Sequence, residues 1–324
     1  MSEFLAPGPR LLILGGTGFV GRALCRQLVA AGYGRITVPT RRPAHGKALS
    51  VLPGVTVLEA DVHDDATLAR LVAPADIVVN LIAILQGSEA AFEAAHVRWP
   101  QRLVRACEAA GGAGSAAGGR RLLHVSALGV SEDAPSRYLR SKARGEAVIR
   151  AAGVPWHLLR PSVIFGAEDR FLNLFADLQR VFPLVPLAGA DARFQPVWVE
   201  DVALALRRLI ELPGTAGRVY EAAGPEERRL RELVHLAGEC LSQPRPILPL
   251  PAPLAWLQAV FMECLPGEPL MSRDNLASMR VPNVASGQLP GLLDLGIAPR
   301  SVSGVLGAPP RAAQLNRWRL RTGR

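Results

Sequence analysis

The sequence has few cysteines, only two lysines and scattered histidines. Its four cysteines form no C-x-x-C pair, which argues against a disulfide framework and against a cysteine-based zinc or redox motif. They are expected to be reduced thiols in a cytoplasmic protein. The six histidines follow no ligand spacing, so no metal site is expected. The first residues lack a charged segment followed by an apolar one, so no signal peptide is predicted.

The balance of charge is basic but spread along the chain. Thirty-seven basic residues face 28 acidic ones, for a net charge of +9, and only Lys47 and Lys142 are lysines. No acidic residue follows Asp294, whereas six arginines do. A solvated basic tail is the simpler interpretation, and contact of this tail with a membrane surface or a protein partner is the alternative. No nucleic-acid partner is expected.

A glycine-rich turn at residues 10–21 organises the chain. The apolar run at 11–14 predicts a strand, and a helix follows the glycines at once. The glycine spacing fits both G-x-G-x-x-G and G-x-x-G-x-x-G, the turn that brings a pyrophosphate to a helix N-terminus. The nucleotide-binding residues predicted in this turn are Gly15, Gly16, Thr17, Gly18, Phe19, Val20 and Gly21.

The end of the second predicted strand indicates which nucleotide binds. Thr40 is followed by Arg41 and Arg42, about where NAD-binding versions carry a carboxylate for the ribose. Arginines there accommodate a 2′-phosphate, so NADP(H) is favoured over NAD(H); two solvent-exposed loop arginines are the alternative. After the third strand, Asp61 is predicted to accept a hydrogen bond from the adenine amino group, beside Val62.

Alternating apolar strands and helices predict an α/β protein with a doubly wound parallel sheet. Six strands are expected, at 11–14, 35–40, 55–59, 76–82, 121–126 and 156–160. Residues 1–165 are predicted to form a Rossmann NAD(P)-binding domain. Residues 166–324 form a smaller C-terminal lobe, with segments near 194–212 packing back on the sheet. Further nucleotide-binding residues are predicted at strand ends: Leu81, Ile82, Ala83, Pro161, Ser162, Val163 and Ile164.

Two segments stand apart from this pattern. Residues 109–119 are rich in alanine and glycine and are expected to be a flexible surface insertion. The apolar stretch at 247–265 contains a helix at 254–264 that is too short to span a bilayer. Burial of that helix in the lobe is expected, and a membrane surface or a partner is the alternative.

Tyr138 and Lys142 form a Y-x-x-x-K pair at the start of a predicted helix. A spacing of four places both side chains on one helical face. An ammonium beside the phenol is expected to lower the tyrosine pKa, so that Tyr138 can act as an acid or base. Lysine also suits the nicotinamide ribose. Both residues are therefore candidates for catalysis and for nucleotide binding, together with Ser126 at the end of strand five.

These motifs together resemble an extended or atypical short-chain dehydrogenase/reductase of the NAD-dependent epimerase/dehydratase type. The segments SRYLRSKARGE, RPSVIFGAEDRFLN, QPVWVEDVA and LPGLLDLGI resemble the Rossmann-type accessory subunit family of respiratory complex I and its bacterial relatives. The resemblance implies a tightly bound NADPH held by the glycine turn, the arginine after strand two, Tyr138 and Lys142. It also implies association with quinone-linked respiratory machinery, at the inner face of a membrane.

One position departs from the active members of that class. They carry serine or threonine at the end of strand five, where this chain has Ala127, with Ser126 before it and Ser131 on the loop. Losing that hydrogen-bond donor costs on the order of 10²-fold in rate. A structural or sensory nucleotide is therefore the leading hypothesis. The alternatives are an active reductase or epimerase/dehydratase that uses Tyr138 and Lys142 on an apolar or nucleotide-linked substrate, and a redox-sensing regulator.

Overall fold

Seven parallel strands form the central sheet. The computed structural model describes residues 8–111, 120–212, 217–241, 244–267 and 269–306. The strands in these ranges are β1 (Leu11–Leu14), β2 (Ile36–Thr40), β3 (Val55–Glu59), β4 (Ile77–Asn80), β5 (Arg121–Val125), β6 (Trp156–Pro161), β7 (Ile164–Phe165), β8 (Val185–Leu187), β9 (Arg193–Phe194), β10 (Val197–Trp198), β11 (Arg218–Ala222), β12 (Arg228–Arg229) and β13 (Ile247–Pro249). The order β3-β2-β1-β4-β5-β6-β11 confirms the doubly wound sheet.

Helices cover both faces of this sheet. The helices of the described ranges, including those of the C-terminal lobe, are α1 (Phe19–Ala30), α2 (Lys47–Ser50), α3 (Asp65–Val72), α4 (Glu89–Glu93), α5 (Trp99–Ala109), α6 (Arg137–Arg150), α7 (Leu172–Val181), α8 (Val199–Glu211), α9 (Leu230–Glu239), α10 (Ala252–Glu263), α11 (Arg273–Ser278) and α12 (Val302–Leu306). One apolar core lies between the sheet and α1 and α8, and a second lies between the opposite face and α3, α5 and α6. Because both faces are covered, β1 and β4 are buried along their whole length.

The strand beside β6 comes from beyond residue 165. β11 pairs in parallel with β6 along five residues, from Arg218 opposite His157 to Ala222 opposite Pro161. The sequence pattern predicts six strands and misses this one, because its alternating apolar and charged residues give no continuous apolar run. The edge of the nucleotide-binding sheet is therefore built by a segment that follows the first part of the lobe.

The helical stretch from α4 to α5 contains an irregular turn. Residues 94–98 form a π-helical segment between α4 and α5. Such a segment shifts the side chains by one position relative to a regular helix and is frequent at functional sites. Here it carries the buried His96.

The C-terminal lobe has its own core. Buried side chains of α7, α9 and the short strands β7, β8 and β9 form one cluster, which includes Phe165, Phe175, Val185 and Leu233. β7 pairs with β10 and β8 pairs with β13. The lobe therefore extends from the sheet edge at which β6 ends.

Helix α10 is exposed, and the expectation that it would be buried is wrong. Only Ala255 and Ala259, one turn apart, are buried, whereas Trp256, Leu257 and Phe261 are 53%, 58% and 64% exposed. The side chains that contact the lobe are small, so the large apolar ones remain outside. An exposed helix that is apolar on most sides is unusual for a free surface.

Two expectations fall on segments outside the described ranges. The alanine- and glycine-rich insertion lies mostly at 112–119, and the arginine-rich tail lies at 307–324. Within the described ranges, no helix is both long and apolar enough to cross a bilayer. No cluster of metal-ligating side chains occurs in the same part of the chain.

Candidate nucleotide site

The glycine turn joins β1 to α1 and is sterically restricted to glycine. Gly15 has a φ of +78°, and a Cβ there would meet the backbone of Leu81 and Ile82 at 3.2–3.3 Å. A Cβ on Gly21 would lie 2.4 Å from the Cα of Gly16, so helix and turn are in direct contact. The turn therefore packs against the end of β4, at the switch point of the sheet.

The N-terminus of α1 can receive an anion. Gly18 is its N-cap and is extended, no side chain caps the helix, and its first turn contains no acidic residue. Free amides at such an end, together with the helix dipole, favour a phosphate group. The Arg22 guanidinium donates to the Thr17 carbonyl at 2.6 Å, which fixes the turn from the side. These features fit the pyrophosphate of a dinucleotide.

The residues predicted at the ends of β2 and β3 lie on the surface. Arg41 and Arg42 are exposed, and neither forms an ion pair with any residue that the structure describes. Asp61 is exposed and accepts a hydrogen bond from the His63 amide at 2.9 Å, while Val62 is buried. Both guanidinium groups are thus accessible to a phosphate.

Lys142 is the buried cation of the site. It is 2% exposed, and its Nζ donates to the Val125 carbonyl at 2.8 Å. Burial lowers the pKa of the Lys142 ammonium to about 8, and Glu146 on the next turn opposes this shift. Glu146 is held by Arg160, whose Nε and Nη2 donate to it at 2.8 and 2.6 Å. Lysine, carboxylate and arginine thus join α6 to the ends of β5 and β6.

Tyr138 lies one turn before Lys142, against two aromatic rings. Its ring packs edge-on to His96 at 5.6 Å and to Phe92 at 6.1 Å. Burial raises the pKa of the Tyr138 phenol to about 12. The expected lowering by Lys142 is therefore not found: burial is the cause of the shift, and the Lys142 Nζ is bonded to the Val125 carbonyl. Tyr138 keeps its proton at neutral pH and can donate it in a hydrogen bond.

His96 links this helix to the loop after β4. The Ile84 amide donates to His96 Nε2 at 3.2 Å, so Nδ1 carries the proton and donates to Ser141 Oγ at 2.8 Å. Ser141 Oγ donates in turn to the Tyr138 carbonyl at 2.8 Å. Burial lowers the pKa of His96 to about 3, so the imidazole stays neutral. The loop that contains the predicted residues Leu81, Ile82 and Ala83 is thereby tied to α6.

A second polar group lies at the ends of β4 and β5. Asn80 Oδ1 accepts from Trp99 Nε1 at 3.0 Å and from the Ile82 amide at 3.2 Å, and its Nδ2 donates to His124 Nδ1 at 2.8 Å. Burial lowers the pKa of His124 well below its ordinary value. The backbone of the β4 loop is therefore fixed from inside the sheet.

Ser126 has the one buried hydroxyl without a partner among the described residues. It is 4% exposed, and its Oγ makes no hydrogen bond, although its amide donates to the Leu159 carbonyl at 2.8 Å. Ala127 beside it is also buried. This buried orphan hydroxyl follows Val125, whose carbonyl accepts from Lys142 Nζ, and it is free to bond a ligand.

The segment after β6 is occupied by the C-terminal lobe. Ser162 Oγ donates to Asn283 Oδ1 at 2.7 Å, and the Val163 amide donates to the same oxygen at 2.8 Å. Ile164 pairs with Val197, and Pro161 lies opposite Ala222. The predicted polar groups at Ser162 and Val163 therefore bond the lobe in this structure.

Five residues that fix the surroundings of the site were not predicted from the sequence: Asn80, His96, His124, Ser141 and Asn283. Asn80 and His124 had a usable signal, because each interrupts an apolar strand near its carboxyl end. Asn283 had none, since its partners lie about 120 positions away.

The chain is similar to known nucleotide-binding proteins in sequence and in structure. Residues 15–170 match a family model described as NAD(P)H-binding. NADH dehydrogenase (ubiquinone) 1 alpha subcomplex subunit 9 of Mus musculus is 33% identical over 298 residues, covering 89% of this chain and 76% of the mouse protein. Ceramide reductase of Caulobacter vibrioides is 29% identical over 203 residues, covering 62% of this chain and 61% of that protein. A dTDP-glucose 4,6-dehydratase structure from Streptomyces venezuelae, with NAD and TYD bound, has a TM-score of 0.68 at 21% identity and covers 96% of this chain and 97% of that chain.

The sheet, the glycine turn and these similarities define an atypical short-chain dehydrogenase/reductase-like protein that binds a nicotinamide dinucleotide. Within that class, the chain belongs to the family of the NADH dehydrogenase (ubiquinone) 1 alpha subcomplex subunit 9. The resemblance drawn from the sequence is confirmed.

Proposed function

We propose that this protein holds NADP(H) as a structural or redox-sensing nucleotide in a quinone-linked respiratory or quinone-biosynthetic setting. The observation that carries the proposal is the extent of the similarity to the mouse complex I subunit. It covers 89% of this chain, far more than the 15–170 region of the NAD(P)H-binding match. The C-terminal lobe therefore takes part in the similarity, together with the nucleotide-binding domain.

In this proposal the chain's own residues bind and orient the nucleotide. The N-terminus of α1 takes the pyrophosphate, Arg41 and Arg42 take the 2′-phosphate, and Lys142 and Tyr138 take the nicotinamide ribose. The nicotinamide, when bound, supplies or accepts a hydride. Ala127 offers no hydroxyl to a substrate oxygen, and Tyr138 is protonated at neutral pH, with a pKa raised to about 12 by burial. The missing hydroxyl at Ala127 favours retention of the nucleotide over turnover, whereas a protonated phenol is compatible with both.

The preference for NADP(H) is tested by Arg41→Ala. The substitution removes a charge-assisted hydrogen bond between the guanidinium and the 2′-phosphate. We therefore expect NADPH affinity to fall about tenfold while NADH affinity changes less than about twofold. Fluorescence titration of the nucleotide-free protein with each nucleotide measures both values.

Arg35→Ala is the matched control for this experiment. Arg35 is an exposed arginine just before the opposite end of β2, so its removal changes the net charge equally without approaching the site. Tighter binding of NADH than NADPH to the unchanged protein, or equal effects of the two substitutions, would overturn the assignment of the 2′-phosphate to Arg41.

An active reductase or epimerase/dehydratase is the second candidate. The orphan hydroxyl of Ser126 favours it, since this buried Oγ is available for a substrate oxygen. Tyr138 would then act as the proton donor. Turnover that disappears in Ser126→Ala would support this candidate, whereas a large gain in Ala127→Ser would indicate a site that has lost its activity.

The lobe offers a surface for attachment. We propose that the exposed apolar side of α10 and the arginines of the tail hold the protein at the surface of a membrane with anionic lipids, beside a respiratory complex. Supporting this, Leu254, Trp256, Leu257 and Phe261 on α10 are all more than half exposed. Apolar side chains and clustered arginines together are the combination that binds such surfaces.

A further inference from the structure

A carboxylate of the C-terminal lobe caps the helix that carries Tyr138 and Lys142. Asp274, on α11, accepts the Arg137 amide at 2.8 Å and the Tyr138 amide at 3.0 Å. It also accepts Arg137 Nε at 3.3 Å and is 8% exposed. Two of the free N–H groups at the start of α6 are thus satisfied by a residue 136 and 137 positions away in sequence.

The remaining donors of this first turn are satisfied locally. Ser136, the N-cap of α6, accepts the Leu139 amide on its Oγ at 3.2 Å, and its carbonyl accepts the Arg140 amide at 3.2 Å. Ser136 therefore sets where the helix starts. Asp274 alone holds the amide of Tyr138 itself.

The position of Asp274 is fixed by its own surroundings. Ser272 and Asn275 form a capping box across the start of α11. Glu263, at the end of α10, accepts the Arg273 amide and Arg273 Nε, each at 2.8 Å. The capping box and the contact of Arg273 with Glu263 thus hold the start of the short helix that carries the Asp274 carboxylate.

The chain just after α11 contacts the opposite side of the same site. Asn283 bonds Ser162 and Val163 at the end of β6. Val281 lies against Gly129 on the loop between β5 and α6, where a Cβ would meet its Cγ1 at 3.0 Å. Residues 272–283 therefore bridge the ends of β5 and β6 and the start of α6.

We propose that Asp274 is the positioning residue for Tyr138, through which the C-terminal lobe sets how firmly the site retains its nucleotide. The inference rests on the proposed function, because it concerns the hold of Tyr138 and Lys142 on the nicotinamide end. Asp274 acts through the Tyr138 backbone. Without the carboxylate, the first turn of α6 frays, and the phenol loses its fixed place against His96 and Phe92.

The first measurement needs no nucleotide. In Asp274→Asn, one acceptor oxygen and the charge are lost at constant shape, so we expect the Arg137 and Tyr138 amides to exchange hydrogen about tenfold faster. Asp76→Asn is the matched control, because Asp76 likewise accepts a backbone amide and an arginine Nε, both from Arg10, at the opposite ends of the strands. Equal exchange of the α6 amides in the two variants would overturn the proposal.

The second measurement uses the full-length protein loaded with NADPH. Asp274→Asn should speed NADPH release about tenfold, and the control Asp76→Asn less than about twofold. In a Tyr138→Phe background, Asp274→Asn should add less than twofold, because both act on the same contact. A full additional effect in that background would overturn the action through Tyr138. Failure of the unchanged protein to bind NADPH would refute the proposed function, while the exchange measurement would still decide the role of Asp274.

Discussion

Lys142 is a buried charged residue of the site, and its ammonium is desolvated. Lys142 is 2% exposed; its ammonium donates a hydrogen bond to the Val125 carbonyl and is attracted by the nearby Glu146 carboxylate. The spacing of Tyr138 and Lys142 predicts that they share a helical face. The sequence-based prediction that the pKa of Tyr138 is lowered is wrong, because the shift depends on burial by residues distant in sequence. A Y-x-x-x-K motif predicts which side chains share a helical face, but the extent to which each is desolvated depends on the packing around them.

The lowered pKa of Lys142 gives a pH-dependent stability. Its pKa is 10.5 when unfolded and about 8 when folded, so between these values the unfolded chain binds more protons and stability rises with pH. Relative to Lys142→Met, the nucleotide-free wild type should gain about 3 kcal/mol between pH 8 and 10.5. Urea unfolding of both proteins across this range measures the difference.

The comparison with Lys142→Met removes other titrations. Cys25 and Cys107, with pKa values raised to about 12 by burial, lower stability above pH 9 in both proteins alike. Parallel stability curves for the two proteins would show that Lys142 is not desolvated as the structure indicates.

At the scale of elements, the sequence predicts what local pattern controls. The strands β1 to β6 lie within a few residues of their expected bounds, and α1 and α6 begin where the glycine turn and the Y-x-x-x-K pair predict them, because apolar periodicity and glycines define these elements. β11 escapes prediction because its place is given by pairing with β6, a contact without a local signal. The π-helical turn at 94–98 escapes for a similar reason: Gly145 of α6 lies against the His96 carbonyl, where a Cβ would sit at 2.1 Å.

Helix α10 has an exposed apolar face, which we propose binds a membrane surface. The double substitution Leu257→Ser and Phe261→Ser should change the free energy of unfolding by no more than about 0.5 kcal/mol, because both side chains are more than half exposed. It should weaken binding to phosphatidylserine-containing vesicles at least about tenfold, since each side chain loses its transfer into the lipid interface. Vesicle sedimentation measures the binding.

Leu293→Ser provides the control for α10. Leu293 is 75% exposed but lies outside the α10 face, so its replacement should leave vesicle binding unchanged. Equal vesicle binding by the α10 variant and the unchanged protein would refute the attachment of this face to membranes.

At the scale of the whole molecule, the lobe and the sheet share one site. Asp274 and Asn283 reach from the lobe to the start of α6 and the end of β6, and β11 returns to the sheet after the lobe has begun. The motifs of the first 165 residues could predict the nucleotide-binding half. The contribution of Asp274 and Asn283 could not be predicted, because their partners lie about 120 or more positions away in the sequence. These links between the lobe and the ends of α6 and β6 support the proposal that the nucleotide is retained.

The rate of NADPH release tests this account most directly. Purified protein loaded with NADPH is mixed with excess NADP⁺, and the loss of bound-nucleotide fluorescence is followed. Enzymes that exchange their cofactor turn over at roughly 1–10³ per second and must release product at least as fast. The account predicts release over many minutes. Release within a second would contradict a structural nucleotide and favour the reductase.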